Sequence, residues 1–431
     1  MRTRPDARSS RTSAGVGYTA SPEVAVPQTN EALPREILDS GTKLLLDLCS
    51  ISSASGDVAG VRAVADRIAT ELARCGLAAE VASESDDEGN PLPLLVARGP
   101  EAGEHPLLLV GHLDTVLDAV PPRIEDGRLW ATGALDMKGG LAMLVAALDL
   151  LASRGERPPA DLMLVGVPDE EVGGTISERA VRRWGQGARV LLVIEPGERR
   201  GDAETLVAGR RGLFEWKIEV SGRAAHSGLA YWQGRSALGA AADWTAQAQR
   251  MSETGAGVTV NAARLVGGDT DFVDGLATNH ALLGTSRRRN VVSDRAIAEG
   301  EARFLSAADG LRILGRLQRL TESTAATHDV RMTFSQGMSV PPVDPNGPGA
   351  PVVRRVMQLA ADRGWRLEVE DDRGGISFPN YVADPAKVAI VDGLGPVGDG
   401  MHTREEHLDM RSFERRIVLL ADLLASLAHR D

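Results

Sequence analysis

The residues most able to do chemistry fall in six short segments. They are Gly111-His112-Leu113-Asp114, Gly133-Ala134-Leu135-Asp136, Asp169-Glu170-Glu171, Glu195-Pro196-Gly197, Ala224-Ala225-His226-Ser227 and Gly400-Met401-His402-Thr403. Imidazole nitrogens and carboxylate oxygens together make a ligand set suited to zinc-like divalent ions. Two such ions about 3.5–4 Å apart need a carboxylate that offers one oxygen to each, and Asp136, in a Gly-flanked turn, is the candidate bridge. His112 and Glu195 then complete one ion's ligands, and Glu171 and His402 the other's. Glu170 is left over. Its side chain diverges from that of Glu171, so it can approach a water at the metals and act as general base. Asp114, two residues after His112 and on the same side of an extended segment, can accept the imidazole proton and fix the tautomer. Each segment alone is ordinary, since Glu-Glu is commonly a solvated loop and Glu-Pro-Gly a turn. Glu405, Glu406 and His407 have no matching cluster elsewhere and read as a solvated helix start.

The elements that must position these groups are legible in the apolar pattern. Ile37 to Leu48 and Val58 to Leu72 repeat at helical spacing. Leu94 to Ala97, Leu107 to Val110, Leu162 to Val167 and Val190 to Ile194 are short apolar runs that read as buried strands, with Lys138 to Ser153 a helix among them. Strands alternating with helices predict an α/β fold, a mostly parallel sheet with helices on both faces. In such sheets reactive groups sit on loops at the carboxyl ends of strands. His112, the Glu170-Glu171 pair, Glu195 and, after Val388 to Val391, His402 all fall there. At Arg211 the pattern changes to the strict alternation of Phe214 to Val220, a strand with one wet face. A helix from Ser236 to Met251, strands at Val258 to Val266 and Asn290 to Leu305, a helix from Leu311 to Thr324 and a strand from Val330 to Phe334 complete a ferredoxin-like βαββαβ unit. The expected division is a disordered tail over 1–34, a metal-binding domain over 35–210 and 337–431, and an inserted domain over 211–336. The stretch after Gly268 has no clear period and stays open.

A 43% hydrophobic fraction over 431 residues is ample for two cores. The net charge of −12, without a basic stripe, argues against nucleic-acid and anionic-membrane partners. With neither a secretory apolar core nor a spanning run of about 18 residues, the sequence points to a cytoplasmic protein. Cys49 and Cys75 match no disulfide framework and read as free thiols.

On these motifs the chain resembles the M20 metallopeptidases, the co-catalytic zinc group that includes glutamate carboxypeptidase, acetylornithine deacetylase and succinyl-diaminopimelate desuccinylase. The similarity runs from about Leu38 to the C-terminus. It implies a zinc-exopeptidase-like fold with an inserted lid and dimerisation domain, and two Zn2+ per chain, with Co2+ or Mn2+ as substitutes. It carries over His112, Asp136, Glu171, Glu195 and His402 as ligands, Glu170 as base and Asp114 as the partner of His112. It also supplies roles that spacing does not. His226 corresponds to the histidine that binds the polarised carbonyl oxygen, often across a homodimer interface. Asn290 and Arg303 correspond to residues that hold the substrate carboxylate, and Asp136-Met137 to a strained peptide bond. Glu195, rather than aspartate, resembles the carboxypeptidase and deacylase branch. The departures are Gly374 to Phe378, which implies an apolar pocket wall, Glu204 near the place of a folate-recognising lysine, and the extra residues ending in Arg287-Arg288-Arg289. The function expected is hydrolysis of an amide in a small carboxylate-bearing substrate, either an N-acyl amino acid or the C-terminal residue of a short peptide. The rivals are a non-catalytic carboxylate-binding protein and an ester or carbamate hydrolase on the same site.

Overall fold

Runs that are apolar on every residue, rather than on alternate ones, belong in a sheet buried on both faces. Leu107–His112 and Leu162–Val167 are such strands, with every residue buried. The computed structural model describes residues 32–279 and 290–428. The elements discussed below lie in a unit that begins at Leu33. Residues 1–31 of the expected tail and Arg287-Arg288-Arg289 lie outside the described residues.

The large sheet has six strands in the order Ala78–Ser85, Pro91–Arg98, Leu162–Val167, Leu107–His112, Val190–Val193 and Ala389–Val391. The last four run parallel, whereas Ala78–Ser85 and Pro91–Arg98 form an antiparallel hairpin that joins Leu162–Val167 antiparallel. The mostly parallel sheet is therefore present with a mixed edge. Register sets the site: His112 pairs with Val167 and Val110 with Val193, so three neighbouring strands end almost level. The loops bearing Asp114, Glu170-Glu171 and Glu195 leave from that one rim.

Helix Lys138–Ser153 is buried over nearly its whole length. Its first turn is Lys138-Gly139-Gly140, and the glycines permit a close approach. A Cβ on Gly140 would stand 2.3 Å from the Ile194 carbonyl oxygen, and one on Gly139 would stand 2.4 Å from that of Ala134. The helix start, with Asp136 just before it, can therefore press against the end of the strand that leads to Glu195. Helices Arg35–Cys49 and Met410–Ala428 flank it, each with an amphipathic face of leucines turned inward.

A second apolar cluster belongs to a four-stranded antiparallel sheet, ordered Thr259–Gly268, Arg295–Phe304, Gly212–Ser221 and Arg331–Val340. With helices Ala237–Gln249 and Ala307–His328 this is the ferredoxin-like topology. Trp216 and Trp244 pack at its centre, ring centroids 4.9 Å apart. The open stretch after Gly268 contains a helix, Thr270–Asn279, and the strand expected from Asn290 begins only at Arg295. Among the described residues no helix is long and apolar enough to cross a membrane. Cys49 and Cys75 are free.

The chain crosses between the two sheets twice, and the crossings are tied to each other. Arg210 and Val343 exchange backbone hydrogen bonds of 3.1 and 2.9 Å. The fully buried Asn380 amide donates to the carbonyls of Arg211, at 3.0 Å, and Pro341, at 2.8 Å. Replacing Asn380 with alanine strips both acceptors of a donor. Urea denaturation should then show a loss of about 1–3 kcal/mol, and an unchanged midpoint would mean that water satisfies both carbonyls.

Candidate metal centre

Asp136 ends a turn that begins at Gly133, whose φ of 74° suits glycine, and its peptide bond to Met137 is cis. The carboxylate is shared. Oδ1 lies 3.0 Å from Nε2 of His112, and Oδ2 lies 3.2 Å from Nε2 of His402. His402 Nε2 is also 3.1 Å from Glu171 Oε2, and His112 Nε2 is 3.9 Å from Glu195 Oε1. His402 sits at φ 63°, after Gly400 at 77°. For a residue with a Cβ this backbone costs about 1–2 kcal/mol, and it turns the imidazole toward Asp136.

Behind these groups Asp114 is fully buried and links two loops. The Nδ1 of His112 is 3.0 Å from the backbone oxygen of Asp114 and 3.4 Å from its Oδ1. The same carboxylate accepts the N–H groups of Glu170 and Glu171, each at 3.2 Å, and the Ser55 hydroxyl at 2.7 Å. Asp169 caps helix Thr175–Gly185 by accepting from the N–H groups of Ile176 and Ser177, at 3.0 and 2.9 Å. The Glu170-Glu171 turn is thus held at both ends. Ser377 Oγ approaches Glu195 Oε1 at 3.5 Å.

Crowding of like charges in a buried space shifts the titrating groups strongly. Burial, reinforced by the charges of Asp136 and Glu170, pushes Glu171 up to about 8. Burial and Asp136 also hold Glu195 well above the usual carboxylate range. Asp136 behaves oppositely: burial would raise it, but the hydrogen bonds from His112 and His402 more than reverse that. The hydrogen bond to Asp136 is the main cause that lifts His402 to about 9. Protons and divalent cations would compete for the same atoms here. Ligand atoms of His112, Glu170 and Glu195 lie within 4.8 Å of one another, as do those of His112, Asp136 and Glu171. These overlapping groups, with His402 Nε2 on Asp136 and Glu171, make a nitrogen–oxygen donor set whose chemistry fits zinc-like divalent ions. The structure brings Glu170 as well as the five expected ligands into this cluster.

Three site residues expected from the resemblance make their contacts outside this cluster. His226 is exposed, and its Nδ1 accepts from the N–H groups of Gly228 and Leu229 at 3.1 and 3.2 Å, so Nε2 carries the proton. Asn290 lies beside it, its carbonyl accepting from Ser227 N at 2.9 Å. Arg303 pairs with Glu301 and donates to the Gly374 carbonyl. Glu204 is buried against Arg416, 2.9 Å away, and belongs to a structural ion pair. Phe378 is buried in the core, its ring centroid 6.4 Å from that of His112.

The solvated helix start expected at Glu405 to His407 is corrected. His407 opens the short strand His407–Asp409, the helix begins at Met410, and Glu406 is only 4% exposed. Glu406 accepts hydrogen bonds from the backbone of the Asp136 turn, a role that its Glu-Glu-His context did not signal. Arg210 was missed too. Buried, with its guanidinium on Asp392 and on the Gly375 carbonyl, it carries a positive charge that partly offsets the burial raising Glu170.

Comparison with known proteins bears on the family and the fold. The sequence profile of peptidase family M20/M25/M40 matches residues 108–426. Carboxypeptidase G2 of Pseudomonas sp. (strain RS-16) is 25% identical over 393 residues, covering 89% of this chain and 88% of the relative. The LysW-lysine hydrolase of Deinococcus radiodurans is 26% identical over 409 residues, covering 91% and 99%. A Bacillus subtilis structure described as a dinuclear metal binding peptidase of the M20 family superposes with a TM-score of 0.61. It covers 91% of this chain and 99% of its own at 16% identity, a likeness of fold.

The shared carboxylate generates a test. Asp136→Ala should lose both ions rather than one, because one bridge serves both. Elemental analysis of the purified variant reads this, and an unaltered metal load would remove Asp136 from the bridging position.

Proposed function

The chain belongs to peptidase family M20/M25/M40, and on that premise we propose a two-zinc hydrolase. Its bond is an amide in a small carboxylate-bearing substrate, either an N-acyl amino acid or the C-terminal residue of a short peptide. The observation that carries this reading is the Asp136 carboxylate divided between His112 and His402, with Glu171 and Glu195 alongside. The relatives' names, a carboxypeptidase and a LysW-lysine hydrolase, are consistent with an amino-acid unit in the substrate.

Divalent ions bound at these ligands would polarise the scissile carbonyl and lower the pKa of a water. The chain's own residues do the rest. Glu170 is half-buried, and its side chain makes no hydrogen bond among the described residues. It is free to take a proton from the attacking water and deliver it to the leaving amine nitrogen. Burial first, and then the charges of Asp136 and Asp114, raise Glu170 above the ordinary carboxylate range, which helps it keep that proton between the two steps. Asp114 holds the base's backbone and the His112 ring together, so that base and ligand stay in register.

Asn290 and Arg303 take the substrate carboxylate in this reading. Arg303 would have to share its guanidinium between that carboxylate and Glu301. His226 binds the carbonyl oxygen as charge develops on it. Its Nε2–H is a donor fixed in tautomer and exposed, which supports action on the site of a second copy in a homodimer formed through the ferredoxin-like unit. The acidic charge balance supports a reading without nucleic-acid or anionic-membrane partners, and a cytoplasmic location completes the proposal.

Two outcomes test the assignment. Glu170→Gln should keep both ions while kcat on an N-acyl amino acid or C-terminal dipeptide falls about 10²–10⁴-fold. Loss of an ion in that variant would instead make Glu170 a ligand, as its closeness to His112 and Glu195 permits. Mixing inactive Glu170→Gln with inactive His226→Ala chains should restore part of the activity, since some mixed dimers then contain one complete site. No recovery in confirmed mixed dimers would place each histidine on its own chain's site or outside catalysis.

A further inference from the structure

Two segments of the metal centre lie far apart in the chain and need a common reference. One is the turn Gly133 to Lys138, which carries Asp136. The other is the loop Gly400 to Glu406, which carries His402. Glu406 joins them: its Oε1 accepts from the N–H groups of Leu135, at 2.9 Å, and Asp136, at 3.0 Å, and its Oε2 accepts from that of Gly133 at 2.9 Å. Its backbone oxygen accepts from Ala131 N at 3.2 Å, and the next residue, His407, pairs in a strand with Trp130. The turn itself is closed by Lys138 N donating to the Gly133 carbonyl at 2.9 Å. Lys138, nearly fully buried, gives its Nζ–H to the Ile51 carbonyl at 2.8 Å.

A buried carboxylate on three backbone N–H groups is a strong acceptor, because charge-assisted hydrogen bonds are roughly twice as strong as neutral ones. Glu406 also bonds the N–H of Asp136 itself. The backbone atom from which the bridging side chain springs is therefore held by the loop that brings His402 to that side chain. We propose that Glu406 is a positioning residue for the two-metal centre: it bolts the His402 loop to the Asp136 turn and so sets where the bridging carboxylate stands between the two imidazoles. It touches neither metal nor substrate. The inference rests on the two-metal reading, and it makes Glu406 a determinant of both ions at once, which a ligand such as His402 is not.

Glu406→Gln keeps the shape but offers one oxygen for three donors, so an amide N–H must face at least one backbone N–H. Zinc affinity for each site, read by competition with a chromophoric chelator, should fall about 10–100-fold for both ions, the range seen when residues supporting metal ligands are changed. The absorption bands of the Co2+-loaded variant should shift, and kcat should fall while KM changes little. Glu406→Asp, which keeps the charge, should recover part of the affinity and serves as the reading variant if the glutamine form does not fold. A residue that served only fold stability would lower the melting temperature and leave Co2+ bands and zinc affinities as in the wild type, which would overturn the proposal. So would weakening of one ion alone. A wild-type chain that holds no pair of divalent ions would sink the two-metal reading and this inference together. A wild-type pair that is unaltered in Glu406→Gln would sink this inference alone.

Discussion

Asp136 gives one oxygen to His112 and the other to His402, at 3.0 and 3.2 Å, and that division limits where the surrounding segments can lie. A carboxylate's two oxygens are fixed on one carbon, so the imidazoles must come in from its two sides. His112 does so from the end of a central strand. His402 does so from a loop that adopts a left-handed backbone at the histidine itself. The shifts of the carboxyl groups follow from the same contact, because the imidazoles hold Asp136 below the usual carboxylate range while burial pushes Glu171 and Glu195 above it.

The fold supplies the precision such a centre requires. Three parallel strands end nearly level, and the glycines that open helix Lys138–Ser153 let its first turn press on the Ile194 carbonyl. Asp114, Asp169 and Glu406 work on backbone N–H groups rather than on the reacting atoms, holding the loops on which the ligands stand. Among the described residues, the ferredoxin-like unit places no ligand atom in the cluster. Its links to the rest of the chain include the paired crossings at Arg210 and Val343, the Asn380 amide that ties both, and Arg303 on the Gly374 carbonyl.

How much was legible in the sequence depended on whether a residue's partner leaves a mark nearby. Buried parallel strands write themselves as apolar runs, and Leu162–Val167 and Lys138–Ser153 fall on their expected bounds. The ligand residues follow those runs directly, so their convergence could be read from strand order. The hairpin strand Ala78–Ser85 could not be read. It lies on the sheet edge with Glu80, Ser83 and Glu84 in it, and neither face carries an apolar stripe. Glu406 escaped for a different reason. Its partners are backbone N–H groups some 270 positions away, and a backbone donor has no residue type to recognise. Glu204, read beside the place of a substrate-recognising lysine, proved to face Arg416, a pairing visible only once the closing helix is packed against its strand.

The central claim is that one carboxylate holds two divalent ions. It is tested most directly by a crystal structure of the zinc-loaded chain with anomalous scattering recorded across the zinc edge. The account predicts two peaks about 3.5–4 Å apart, with an oxygen of Asp136 on each, His112 and Glu195 on one, and Glu171 and His402 on the other. A single peak, or a pair that Asp136 does not bridge, would contradict it.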